Sequence, residues 1–130
     1  MNKRILITAS ALGIIAIALG AFGAHALKEL ISTEMQQTFE TGVRYQMYHA
    51  LFLLFVGSSS LLKEKTKRVI HYLVVFGVIL FSGSIYGLAT NNLTGFDFKS
   101  IGFVTPLGGL CFIISWAILF IDLIKKRENN

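Results

Sequence analysis

The chain has 130 residues, 54% hydrophobic and 15% charged, with a mean hydropathy of +0.66. A soluble single domain of this length has too small an interior to hide that much apolar surface, and the composition is equally unlike that of a disordered chain. The net charge of +5 would favour nucleic acid in a soluble protein, but here the basic residues lie between and beyond apolar runs, the pattern of membrane topology, and no nucleic-acid partner is expected.

In chain order the first apolar run is uncharged from Ile5 to Ala24. Lys3-Arg4 before it and Ala24-His25-Ala26 after it resemble a secretory signal with a small-residue cleavage site. The run exceeds the ~7–15 residues of a signal core, which favours a retained first span. Ala16, Gly20 and Ala24 recur every fourth residue and would let another helix approach closely. Between residues 26 and 42, Leu27, Leu30, Ile31, Met35 and Phe39 recur at helical steps among charged and amide residues. That pattern predicts an amphipathic helix lying on the outer face. Thr33 and Gln36 suit a capping box for it, and Gly42 a joint into the next span.

Three more apolar runs follow, giving spans at about 5–25, 43–62, 69–90 and 103–122. Each approaches the ~20 residues needed to cross a ~30 Å hydrocarbon core as a helix. At the start of the last, Thr105 suits an N-cap and Pro106 the first helical position. The expected fold is therefore an all-α membrane protein of one domain, with four transmembrane helices and an outer-face amphipathic helix between spans one and two. Nine of the twelve Lys and Arg (Lys3, Arg4, Lys63, Lys65, Lys67, Arg68, Lys125, Lys126, Arg127) fall on one side, against Lys28, Arg44 and Lys99 on the other. The positive-inside rule then places both termini in the cytoplasm, for a multi-pass protein of the plasma (inner) membrane whose immediate partner is the lipid bilayer.

The chemistry-bearing residues concentrate at one depth. The second span enters as Arg44-Tyr45-Gln46-Met47-Tyr48-His49, with Arg44 and Tyr48 on one helical stripe and Tyr45 and His49 on its neighbour. His49 lies roughly 7 Å deeper than Arg44. The outer half of the third span carries Ser82, Ser84, Tyr86 and Thr90, the fourth enters with Thr105-Pro106 and Gly108-Gly109, and the first leaves at His25. The candidate binding residues are Arg44, Tyr45, Tyr48, His49, Ser82, Tyr86 and His25. Two explanations compete: an interfacial aromatic belt with polar groups tying helices together, or a ligand or proton site marked by intramembrane ionisable residues. Trp116, in the inner half of the fourth span, reads as packing.

Neither a metal site nor a cofactor is expected. His25 and His49 lack a carboxylate or thiolate at ligand spacing, Cys111 is the sole cysteine, and no Walker loop, GxGxxG or HExxH occurs. An intramembrane enzyme would need His49 to act with only Tyr or Ser, so no enzymatic activity is expected.

The runs Gly20-Ala21-Phe22-Gly23-Ala24-His25-Ala26-Leu27, Phe39 to Leu51 around Arg44 and His49, Phe81-Ser82-Gly83-Ser84-Ile85-Tyr86 and Thr105-Pro106-Leu107-Gly108-Gly109 with Trp116 resemble a known family. It is the family of small bacterial inner-membrane proteins of unknown function (domain of unknown function 423), which has eukaryotic transmembrane relatives. The resemblance covers essentially the whole chain. It implies a multi-span plasma-membrane protein and supplies no activity, substrate or functional residue. The expected function is a non-enzymatic structural or accessory membrane component, a homo-oligomer or the partner of another membrane protein. The alternative is binding or transport of a small molecule, ion or lipid through the outer half of the bundle.

Overall fold

In the computed structural model, which describes residues 2–128 with side chains through Lys125, the described residues are helical or loop, with no strand. Lys126 and Arg127 of the basic C-terminal run lie outside the described side chains. Helix α1 spans Lys3–His25, capped by the Asn2 side chain, which accepts from the Ile5 amide. Helix α2 spans Thr33–Ser58. Helix α3 (Glu64–Gly77) runs through a π-helical segment, Val78–Gly83, into the short α4 (Ser84–Ala89). Helix α5 spans Val104–Glu128.

The amphipathic segment is not a separate element. Residues 33–42 are the first turns of α2, and the helix passes through Gly42 without a break. Gly42 is a notch for a neighbour, not a joint: a Cβ there would lie 2.7 Å from Cε1 of Tyr86 and 3.0 Å from Cγ2 of Ile85. The cap also differs from expectation. Ser32 is extended (φ −68°, ψ 161°) and its hydroxyl accepts from the Met35 amide at 3.1 Å. The Gln36 amide instead reaches across to donate to the Gly23 carbonyl of α1. Helix α5 begins at Val104, so Thr105 lies inside its first turn, and its hydroxyl meets that of Ser84 at 2.5 Å.

Successive helices pack antiparallel, and residues at equal depth meet. At one end the Asn2 backbone N–H donates to the Gly57 carbonyl (2.7 Å) and Thr8 contacts His71 (2.9 Å). Midway, the Gln46 amide donates to the Leu12 carbonyl (2.9 Å). At the other end Phe39 packs on Tyr86, with ring centroids 5.1 Å apart. One core of Ile5, Phe52, Leu53, Val56, Ile70, Val74 and Phe112 fills the first end and the middle. A smaller one of Leu27, Phe39 and Ala89 closes the end that holds His25.

Helices α1, the continuous Glu64–Ala89 stretch and α5 up to Lys125 are each long and apolar enough to cross a membrane. Helix α2 is long enough, at 26 residues, but Arg44, Gln46 and His49 dilute its apolar half. The outside of the bundle carries large apolar side chains, Ile14 at 69% and Ile113 at 66% exposure among them.

Candidate functional site

The π segment sets the geometry around the predicted residues. A π turn inserts one extra residue and rotates everything after it relative to an α-helix. Here it brings Ser82, fully buried, to donate to the Gly42 carbonyl at 2.7 Å. It also presents its backbone to α5. A Cβ on Gly108 would fall 2.4 Å from the Phe81 nitrogen and 2.8 Å from the Leu80 carbonyl carbon, so only glycine permits this approach.

One turn beyond Ser82, the Tyr86 hydroxyl donates to Oε1 of Gln46 (2.7 Å), whose amide nitrogen donates to Leu12. A chain of hydrogen bonds thus crosses from α4 through α2 to α1. Gln46 is 2% exposed and central to this chain. It was not among the predicted site residues; a lone amide between Tyr45 and Met47 was the available signal.

His49 is 3% exposed and fully committed. Its Nδ1 lies 2.7 Å from the carbonyl of Tyr45, and the indole N–H of Trp116 points at its Nε2 at 3.1 Å. An indole nitrogen only donates and a carbonyl only accepts. The imidazole must therefore be neutral, with its proton on Nδ1. A second proton on Nε2 would face the Trp116 N–H with nothing to accept it. The ring stacks on Phe112 (centroids 3.6 Å, 13°), and Trp116 meets Phe52 edge-on at 4.1 Å. Trp116 is thus both packing and the hydrogen-bond partner of His49.

Of the remaining predicted residues only Tyr45 joins these, through its carbonyl on His49 and its place in the groove beside it; Arg44, Tyr48 and His25 do not. Arg44 is exposed and pairs along its own helix with Glu40 at 3.8 Å. Tyr45 leans on Tyr48 and Phe81, with centroids 5.5 and 4.9 Å away, and is 39% exposed, while Tyr48 is 51% exposed. His25 is exposed in the last turn of α1. Beside His49 a lateral groove of about 500 Å³ runs between Tyr45, Phe81, Gly109, Phe112, Ile113 and Trp116. Its walls are mostly hydrocarbon and aromatic rings.

Sequence reasoning also missed Lys67, 1% exposed, whose ammonium lies 3.7 Å from Glu64. The signal was its register: Lys67, Ile70 and Val74 form one buried stripe of α3. Among the described residues no group of three or more His, Cys, Asp or Glu is placed to hold a metal ion.

A family model described as "Protein of unknown function (DUF423)" matches residues 19–109. The chain is 37% identical to the UPF0382 membrane protein YwdK of Bacillus subtilis, over 95% of this chain and 98% of that one. It is 36% identical to a UPF0382 membrane protein of Staphylococcus epidermidis, over 95% and 97%. It is also 36% identical to the UPF0382 inner membrane protein YgdD of Escherichia coli, over 99% and 95%. No solved structure matches it.

Proposed function

The chain belongs to the DUF423 family of proteins of unknown function, and from that premise we propose that it is a non-enzymatic, multi-pass protein of the inner membrane. In this reading it crosses the bilayer four times, keeps both ends in the cytoplasm, and serves as a structural or accessory component.

Helix α2 is the fourth span. Its 26 residues extend roughly 39 Å at 1.5 Å per residue, enough for the hydrocarbon core and part of one interface. Its polar load is not left facing lipid. Gln46 and His49 are buried and hydrogen-bonded inside the bundle, and the exposed Arg44 pairs with Glu40, one turn nearer the start of α2, so its charge extends toward that interface. The apolar exterior of the bundle suits a surface bathed in acyl chains, and the basic residues select the orientation.

The observation that carries the non-enzymatic reading is how the polar groups in the middle and outer half of the bundle are paired. Ser82 and Tyr86 spend their hydrogen bonds on α2, Gln46 on α1 and α4, and His49 on its own helix and α5. A small molecule or ion bound there would have to break bonds the bundle already makes. In hydrocarbon, where water offers no replacement partner, such bonds tie helices together.

Reporter fusions test the topology. Green fluorescent protein joined after residue 60 or at the C-terminus should fluoresce, and alkaline phosphatase inserted near residue 95 should be active. An active phosphatase at the C-terminus would mean that α2 does not cross, and the four-span reading would fall. A panel of metabolites and ions tested for thermal stabilisation addresses the rest. A ligand that stabilises the parent but not His49→Ala would refute the purely structural role.

A further inference from the structure

A second polar locus lies at the opposite end of the bundle, where α1 and α3 begin. A pocket of about 330 Å³ opens there between Asn2, Arg4, Glu64, Arg68, His71 and Tyr72. Its carboxylate is already engaged: Glu64 accepts from the Asn2 amide (3.3 Å) and pairs with Lys67 (3.7 Å). Arg4 and Arg68, from different helices, both line this cavity and form no ion pair among the described residues.

The surroundings add positive potential. The first turn of α1 holds no acid, and the N-termini of α1 and α3 lie at this same end, their dipoles directed at it. Below the arginines, His71 reaches Thr8 at 2.9 Å, bridging the two helices. The Thr8 hydroxyl donates to the Arg4 carbonyl (3.0 Å), so Nε2 of His71 is the donor in that contact. The floor of the pocket is thereby held rigid.

Beyond the floor both helices turn apolar and exposed. Tyr72 and Phe76 continue down α3 and Ile79 into the π segment, and Ile7, Ile14 and Ile15 continue down α1. A ligand with an anionic head and long hydrocarbon tails meets both requirements at once, whereas a soluble anion uses only the first. We propose that this pocket holds the phosphate of an anionic phospholipid headgroup, gripped by Arg4 and Arg68, with its acyl chains along α1 and α3. Guanidinium forks match phosphate oxygens in pairs, and basic pockets between spans suit such head groups. The inference rests on the bilayer-spanning reading above, which the reporter fusions test separately.

The experiment is thermal melting of the full chain in neutral detergent with phosphatidylglycerol, phosphatidylcholine or sodium phosphate added in turn. Phosphatidylglycerol should raise the melting temperature by about 5 °C or more; the other two should not. Arg4→Gln with Arg68→Gln should remove most of that rise and weaken lipid retention roughly tenfold or more. Lys28→Gln with Lys99→Gln, at the other end, should keep it. An equal rise with phosphatidylcholine would show that only the chains are bound, and a rise with sodium phosphate alone would show a soluble-anion site; either overturns the proposal. So does an undiminished rise in the arginine variant. If that variant does not fold, native mass spectrometry of the parent decides: it must retain phosphatidylglycerol in preference to phosphatidylcholine.

Discussion

Gly108 and Gly109 are neighbours on α5, yet alanine at the two positions should act in opposite directions. Both replacements add the same methyl group, and both remove a glycine from a helix interior, a gain of up to about 1 kcal/mol in water. The surroundings differ. At Gly109 the nearest atom to an added Cβ is Cδ1 of Phe81 at 3.7 Å, an ordinary contact. At Gly108 the methyl would meet the Phe81 nitrogen at 2.4 Å and two more backbone atoms at 2.8 Å. No rotamer relieves a clash with backbone, so α5 must draw back from the π segment by roughly 1 Å. That withdrawal loosens Phe112 from Gly77, where an added Cβ would lie only 2.6 Å from the Phe112 ring, and with it the stack on His49. Overpacking of this kind costs about 1–3 kcal/mol, more where the backbone is the obstacle. Gly108→Ala should therefore lose roughly 1–2 kcal/mol net, a fall of several degrees in melting temperature. Gly109→Ala should be neutral or gain up to about 1 kcal/mol. Thermal melting of the three proteins in one detergent measures the difference. Equal stability of the two variants would refute the close approach of α5 to the π segment.

Gln46→Leu and Tyr86→Phe should each destabilise the bundle by about 1 kcal/mol, and the double variant by less than the sum. The coupling energy expected for an intramembrane hydrogen bond is roughly 0.6–1.7 kcal/mol, and strict additivity would deny the link through the 2.7 Å bond. Nitrogen NMR of labelled histidine should find His49 neutral with its proton on Nδ1. In Trp116→Phe the Nε2 resonance should shift as its donor is lost. A proton resident on Nε2 in the parent would contradict the assigned pairing.

The helices themselves were legible because the bilayer imposes a simple rule: a long apolar run is a span. The gathering of small and polar residues was legible in part, since antiparallel helices convert sequence position into depth, but the structure spreads it from Gln46 and His49 in the middle to Tyr86 and Phe39 at one end. Pairing was not. Trp116 was assigned to packing, and its bond to His49 depends on the rotation of α5 about its axis, which the π segment helps to fix and which leaves no mark in local composition. Gly42 misled for a related reason. A glycine between a polar and an apolar stretch reads as a joint, but here its missing side chain admits the ring of Tyr86. Lys67 was counted with the basic loop although its register with Ile70 and Val74 already placed it on the buried face.

The two ends of the bundle differ in what their polar groups have left to offer. From the middle of the bundle outward, the side chains of Gln46, His49, Ser82 and Tyr86 are matched within the fold, while Oε1 of Gln36, nearer the end, is buried without a partner. That matching explains their position: each bond crosses between helices or completes one that does, and in hydrocarbon an unmatched partner costs more than it would beside water. At the end with Arg4 and Arg68, charge converges on a cavity with its carboxylate already engaged. A group that stabilises a fold is satisfied by the fold, whereas a group that meets a ligand must keep bonding capacity in reserve. Under the four-span reading proposed above, that criterion gives His49 and its neighbours the role of holding the helices together, and gives Arg4 and Arg68 the role of binding.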